Sequence, residues 1–276
     1  MNKPEQKHRI LILGASGYMG NAIYKELGPY FRTFGTYRTS KKEFEKNKQF
    51  FQYNVEEDDV YEILKICKPS IIISALRGEF NAQIIAHQHI AEYATEFGSK
   101  VIFLSSANAF DAYSKYPSYE LDKTLSHSVY GHFKIKIENL FLRLPKKQVA
   151  VLRLPMVFGA NCPRVQEIKQ LATDDGAVEI FPNLIMNVML DKKVTQQIHY
   201  IINRKKHGIF HLGSTDLVHH DQFIKELIPI ITNKKVVVKH VYTTNEDRYL
   251  AVLPKFNKLP KHLQITSEKV LEELAK

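Results

Sequence analysis

The sequence predicts a doubly wound α/β fold, and three observations predict it. Uniformly apolar runs of strand length recur along the chain, a glycine turn follows the first of them, and helical patterns separate them at the spacing of βαβ units. The first strand is Ile10–Leu13, and Asn21–Leu27 is helix-compatible. Arg32–Tyr37, Phe50–Val55 and Ser70–Leu76 read as the second, third and fourth strands, followed by a helix over Ile84–Phe97. Lys100–Ser106 is the fifth strand, Val129–Leu144 a long helix, Gln148–Leu154 the sixth strand and His207–Gly213 the seventh. Beyond Gly159 the pattern turns irregular, with helical pieces at Asp221–Ile230 and Ser267–Ala275 and one strand, Lys235–Val241. No internal repeat or low-complexity tract competes with this order.

Composition narrows the class. A chain of 276 residues, 44% hydrophobic and 25% charged, can bury a full core and carry a smaller lobe besides. Its apolar runs are far short of a membrane span, and Met1–Arg9 lead into the first strand without a signal-peptide apolar region. Cys67 and Cys162 form neither a disulfide framework nor a metal spacing, so reduced thiols and a cytoplasmic setting are expected. The net charge of +10 comes without a nucleic-acid module, and the late lysines (Lys234, Lys235, Lys239, Lys255, Lys258, Lys261) read as a solvated surface or as a basic mouth for a phosphorylated substrate.

The glycine turn carries the first functional signal. Gly14-Ala15-Ser16-Gly17-Tyr18-Met19-Gly20 lies between a buried strand and a helix start, with the spacing G-x-x-G-x-x-G. Glycines there permit the tight turn, the approach of a pyrophosphate and close helix–strand packing, while the helix N-terminus presents N–H groups to an anion. Gly14, Ser16, Gly17, Tyr18, Met19 and Gly20 are therefore expected to bind a dinucleotide, in a domain of the Rossmann type. The second strand ends Tyr37-Arg38-Thr39-Ser40-Lys41, with no carboxylate before Glu43. An acid there would take a ribose hydroxyl; Arg38, supported by Ser40 or Lys41, suits a 2′-phosphate, which favours NADPH over NADH. Asn54 and Val55, after the third strand, are placed to meet the adenine, and Ala75 lines the cofactor after the fourth. Residues 1–160 are read as the NADP-binding domain, with 190–213 returning to it, and 161–276 as mainly a mixed α/β substrate-binding lobe.

The second signal is a Tyr-x-x-x-Lys pair, which on a helix puts a proton donor and an ammonium group on one face, one turn apart. Such a pair serves carbonyl reduction: the phenol protonates oxygen as hydride reaches carbon, and the ammonium lowers the phenol pKa. The chain contains it four times, at Tyr37/Lys41, Tyr61/Lys65, Tyr119/Lys123 and Tyr130/Lys134. Only Tyr130 opens the long helix between the fifth and sixth strands. Ser106, at the C-terminal end of the fifth strand, can supply the second hydrogen bond to the substrate oxygen.

Together these motifs resemble the extended short-chain dehydrogenase/reductase superfamily: Gly14-x-x-Gly17-x-x-Gly20, Ser106, Tyr130-Gly131-x-x-Lys134, Glu138 and Arg153-Leu154-Pro155-x-Val157-Phe158-Gly159 stand in its order. The resemblance implies catalytic roles for Ser106, Tyr130 and Lys134, with Tyr130 and Lys134 also contacting the cofactor and Lys134 holding the nicotinamide ribose. Within the superfamily, His207–Leu212 and Ser105–Asp111 are similar to the dTDP-4-dehydrorhamnose reductase branch. Ala107-Asn108 stand where that branch has Asp-Tyr, and Asp111-Ala112 lacks its closing glycine.

The expectation is thus an NADPH-dependent reductase of a 4-keto sugar nucleotide or related carbonyl. Two alternatives are an NAD-dependent sugar-nucleotide epimerase and a non-catalytic NADP-binding regulatory subunit, of which the same branch contains an example attached to methionine adenosyltransferase. Arg164, Asn187 and Arg248 are candidate contacts to a nucleotide-sugar pyrophosphate. His211, in a strand, and His219 and His220, in a loop, lack partners at ligand spacing, and Asp174-Asp175-Gly176 lacks the rest of a calcium loop, so no metal is expected. Neither nucleic acid nor membrane is an expected partner, and a homodimer is open.

Overall fold

The computed structural model describes residues 8–39 and 42–276. The sequence readings at Met1–Lys7, Ser40 and Lys41 lie outside the described residues. In chain order the elements are β1 (Arg9–Leu13), α1 (Tyr18–Leu27), β2 (Arg32–Tyr37), α2 (Lys42–Glu45), β3 (Phe50–Gln52), α3 (Val60–Cys67), β4 (Ile71–Ser74), α4 (Phe80–Phe97) and β5 (Lys100–Ser106). Then come α5 (Val129–Phe141), β6 (Val149–Leu154), β7 (Met156–Phe158), α6 (Pro163–Thr173), β8 (Ala177–Ile180), β9 (Leu184–Met186), β10 (Val188–Leu190) and α7 (Asp191–Asn203). The chain continues through β11 (Gly208–His211), β12 (Val218–His219), α8 (His220–Ile231), β13 (Val237–His240), β14 (Arg248–Leu250) and α9 (Ser267–Leu274).

The expected doubly wound sheet is present, with seven strands ordered β11-β6-β5-β4-β1-β2-β3. Strands β3, β2, β1, β4 and β5 pair in parallel, with Ile10, for example, opposite Thr33 on one side and Ile71 on the other. Chain order reverses between β1 and β4, which opens a crevice at the carboxyl ends of those two strands. Burial on both faces explains the uniformly apolar sequences: Ile10 to Leu13 are fully inaccessible, and each such side chain contributes about 1.5–3 kcal/mol.

Packing divides the chain into two units, one of Met1–Leu104, Lys136–Val151 and Ile198–Gly208, the other of Ser105–Ile135, Leu152–Gln197 and Ile209–Lys276. In the first unit a buried histidine fixes the end of β4. His87 Nδ1 faces the Gln83 carbonyl at 2.5 Å and must donate, so Nε2 accepts from Ser74 Oγ at 2.8 Å. Phe103 and Phe141 pack edge-on against its ring. In the second unit Asn187 is fully buried and bonded wholly to backbone, donating to Val252 O (2.8 Å) and Ser214 O (3.4 Å) and accepting from Val252 N (3.1 Å).

Several boundaries differ from the sequence reading, for identifiable reasons. The third strand stops at Gln52, because Asn54 N turns to Asp58 Oδ2 (2.6 Å) and starts a loop. Helix α4 begins at Phe80, four residues early, because the Glu79 carboxylate caps it by accepting from Ala82 N at 2.7 Å. Helix α5 ends at Phe141, short of the Leu144-Pro145 pair that no helix enters easily. Beyond Gly159 the irregular region holds helix α6 and the short strands β8, β9, β10, β12 and β14 as well as the one strand read there. Three-residue strands show no readable alternation. His219 and His220 are not in a loop; His219 lies in β12 and His220 opens α8.

Candidate active site

The glycine turn is built by backbone and by one threonine. Gly14 has φ +79, and a Cβ there would sit 2.6 Å from Ala75 O, so the chain ends of β1 and β4 touch at the crevice. A Cβ on Gly20 would stand 2.1 Å from Gly14 O, which is why α1 packs directly on the turn. Gly17, the N-cap of α1, differs: its Cβ would meet only Gly14 O, at 3.3 Å, and otherwise open space. As N-cap, Gly17 brings no side chain to this end of α1. Thr36 pins the turn from β2, accepting from Gly14 N through Oγ1 (2.8 Å) and from Ser16 N through its carbonyl (3.2 Å). A cradle shaped by absent side chains, at an uncapped helix start, fits a pyrophosphate. Sequence reasoning missed Thr36, although a buried hydroxyl within an apolar strand was a usable signal.

At the end of β2 an open cleft of about 760 Å³ is lined by Arg38, Thr39, Gln52, Asn54 and Asp58, among others. Arg38 is exposed and lies 3.4 Å from Glu56, a loose surface pair that leaves it able to turn. Asn54 is committed to its own loop, its Oδ1 accepting from Glu56 N, while Val55 is buried and Ala75 half-buried.

In the second unit the fifth strand delivers Ser106 to a 3-10 turn over Ala107–Phe110. Ser106 Oγ donates to Asn108 Oδ1 (2.9 Å) and accepts from Asn108 N (3.2 Å). Tyr130 and Lys134 share one face of the first turns of α5. Lys134 is buried, with Nζ 5.5 Å from the Tyr130 ring centroid and equally far from that of Phe133. Tyr130 remains 41% exposed, so its ring lies beside the buried cation while the side chain stays reachable from solvent.

A carboxylate ties the serine turn to the tyrosine helix. Asp111 accepts from His127 N (2.6 Å) and from Ser128 Oγ (2.5 Å), and Ser128 Oγ in turn caps α5 by accepting from Gly131 N (3.0 Å). Burial opposes charge on Asp111, yet the bonds from Ser128 and His127 outweigh it and hold the carboxyl below its usual range. Gly131 is obligatory, since its Cβ would lie 2.0 Å from Ser126 Oγ and 2.3 Å from Asn108 O. Asn108, Asp111 and Ser128 were not singled out from sequence as parts of the site.

The second unit holds another buried polar group. The Glu120 carboxylate accepts from the backbone N–H groups of Lys255, Phe256 and Asn257 at 3.0–3.3 Å. Burial works against its charge, but those N–H groups prevail and lower its pKa. Arg153 donates to Glu120 O and to His211 Nε2, while His211 Nδ1 donates to Leu253 O, so this histidine is neutral and burial keeps its pKa low. Of the proposed pyrophosphate contacts, Asn187 is spent on backbone as described. Arg164 donates to Glu167 and to Glu179 O, each at 2.9 Å. Arg248, in β14, has a buried Nε that makes no hydrogen bond, and the Nε of Arg164 is in the same condition. No group of three or more metal-ligating side chains occurs among the described residues. No helix among them is long and apolar enough to cross a membrane.

The fold is thus Rossmann-like α/β, and its second unit holds Ser106, Tyr130 and Lys134. The chain belongs to the RmlD substrate binding domain family, whose model matches residues 8–262. It is 27% identical over 163 residues to a dTDP-4-dehydrorhamnose reductase of Aggregatibacter actinomycetemcomitans, covering 55% of this chain and 52% of that one. It is 26% identical over 160 residues to the methionine adenosyltransferase 2 subunit beta of Mus musculus, covering 55% and 47%. The matched region thus spans about half the length of these curated relatives. A dTDP-4-dehydrorhamnose reductase from Bacillus anthracis, solved in complex with NADP, superposes with a TM-score of 0.77 at 20% identity, over 98% of this chain and 99% of that one. That likeness establishes the shared fold.

Proposed function

We propose that this chain is an NADPH-dependent reductase of a carbonyl on a sugar nucleotide, of the 4-keto class. The observation that carries the reading is the pairing of Tyr130 with the buried Lys134 one turn away on α5, in a unit that also holds Ser106 at the end of β5. Membership of the RmlD substrate binding domain family and similarity to a dTDP-4-dehydrorhamnose reductase support it. Bound NADPH supplies a hydride. The cradle Gly14–Gly20 takes the pyrophosphate, Arg38 the 2′-phosphate, and Asn54, Val55 and Ala75 the adenosine side. Ser106 hydrogen-bonds the substrate carbonyl oxygen; Tyr130 gives that oxygen its proton as carbon receives the hydride, so the carbonyl becomes an alcohol. Lys134 stabilises the phenolate left behind, which regains a proton from water, and holds the nicotinamide ribose. Residues 161–276 serve mainly as the substrate lobe, where Arg164 and Arg248, each with a buried Nε that makes no hydrogen bond, are the phosphate ligands we assign.

A second reading is a non-catalytic NADP-binding subunit, which the similarity to methionine adenosyltransferase 2 subunit beta favours. One experiment separates the two. NADPH oxidation is followed with 4-keto dTDP- and UDP-sugars, and cofactor affinity is measured by calorimetry, for the native chain and for Tyr130→Phe. The reductase reading expects turnover that falls about 10²–10⁴-fold in the variant with NADPH affinity unchanged. Tight NADPH binding without turnover in the native chain supports the regulatory reading.

A further inference from the structure

The Ser106 hydroxyl has one proton, and that proton is already engaged. It points to Asn108 Oδ1 at 2.9 Å, while Ser106 Oγ accepts the Asn108 backbone N–H at 3.2 Å. A substrate carbonyl oxygen can only accept, so Ser106 cannot bond it without withdrawing the proton from Asn108. Two acceptors, Oδ1 and Oγ, would then face each other at hydrogen-bond distance, which is repulsive. A carboxamide resolves this by turning over: rotated half a turn, it presents Nδ2–H to Ser106 Oγ. Both Asn108 N–H groups then donate to Oγ, and the serine proton is released outward and polarised. A carboxylate at this position could not do so, because it has no proton to give above its pKa.

We propose that Asn108 is a positioning residue whose carboxamide switches Ser106 between a resting state, with its proton held inward, and a donor state turned to the substrate carbonyl. The inference rests on the reductase reading of the Ser106, Tyr130 and Lys134 set and adds a residue to it. The local structure favours a side-chain switch over a moving loop. Asn108 lies in a 3-10 turn flanked by the buried Ala107, Ala109 and Phe110, and its own carbonyl accepts from Asp111 N. The backbone is thus fixed, and the free coordinate is the amide torsion.

The test compares Asn108→Asp, Asn108→Ala and Ser106→Ala with the native chain, in steady-state reduction of a 4-keto sugar nucleotide from pH 5 to 8. NADPH affinity is measured in parallel, and the Asn108 side-chain amide is observed by NMR in protein labelled with ¹⁵N-asparagine. Asn108→Asp is nearly isosteric, yet kcat should fall about 100-fold at pH 8 and recover relative to native as acidification protonates the carboxyl. Asn108→Ala should lose about 5–10-fold, with a native pH profile, and both should keep native NADPH affinity. The amide resonance, identified by its loss in Asn108→Ala, should shift in Ser106→Ala. Equal losses in the aspartate and alanine variants, with no acid recovery, would overturn the switch. An amide resonance unmoved by Ser106→Ala would overturn the pairing itself, whether or not the protein turns over. A native chain that shows the amide shift and binds NADPH but reduces no keto sugar nucleotide would overturn the reductase reading and, with it, the part given to Asn108.

Discussion

The glycine cradle and the Ser106–Tyr130 site solve the problem of holding a ligand in opposite ways. The cradle is contiguous in sequence, and its shape comes from what is missing: Cβ atoms at Gly14 and Gly20 would collide with carbonyl oxygens of the turn and of Ala75. Its frame is backbone, and the Thr36 hydroxyl supports it from β2. The second site is assembled from residues 106–111 and 126–134, and its shape comes from side chains bonded to one another, from Ser106 to Asn108 and from Asp111 to Ser128. A backbone-built site resists pH and fails only by steric insult. A side-chain site is adjustable and also fragile, because each partner can lose or gain a proton.

Four substitutions would break or sharpen this contrast. The largest effect is expected for Gly20→Ala, whose methyl would lie 2.1 Å from Gly14 O; unfolding free energy should fall by about 3 kcal/mol or more. Gly17→Ala, whose methyl would meet only Gly14 O, at 3.3 Å, should cost far less stability than Gly20→Ala yet lose NADPH affinity by calorimetry. Equal behaviour of the two variants would remove the distinction between packing and ligand-facing glycines.

The next effect concerns acid. His220 is buried in the second unit, and its Nδ1 accepts from Phe181 N at 3.2 Å. Burial, with Arg164 nearby, pushes its pKa down to about 4. Above pH ~6.5 both folded and unfolded imidazoles are neutral and the native contact is intact. As pH falls from ~6.5 toward 4 the unfolded state takes the proton first, so stability is lost over that window, by at most about 3 kcal/mol. His220→Asn, which can still accept from Phe181, should flatten the pH dependence measured by urea denaturation. An unchanged slope would put the acid sensitivity elsewhere, with His211 next in line. The smallest effect is expected at the cofactor's edge: Arg38→Ala should weaken NADPH binding about 10–30-fold and leave NADH unchanged. Equal loss for both cofactors would mean that Arg38 does not read the 2′-phosphate.

The same contrast explains what was legible in the sequence. The sheet and the cradle could be read because their determinants lie within a few residues of each other: an apolar run, three glycines, a helix start. Strands β2 and β5 were delimited to the residue for that reason. The Ser106, Tyr130 and Lys134 set was legible only as spacing plus resemblance, since the chain repeats the Tyr-x-x-x-Lys pattern four times. Its support was not legible. Asp111 and Ser128 are 17 residues apart, and Glu120 finds its backbone partners 135 to 137 residues away. No local periodicity encodes such pairs, and each polar residue alone is indistinguishable from a surface one. The short strands β9, β10 and β14, three residues each, failed for want of length.

Asn187 sets a timetable for the second unit. Its buried amide is satisfied by Ser214 and Val252, 27 and 65 residues further along, and Gly213 must lack a side chain because a Cβ would fall 1.9 Å from Asn187 Nδ2. A chain emerging from the ribosome keeps this amide in water until Val252 is made, because burying it without those partners would cost about 1–3 kcal/mol. The loop it closes is long, so the contact forms late and slowly. Nascent chains halted before Val252 should therefore leave this unit open to proteases.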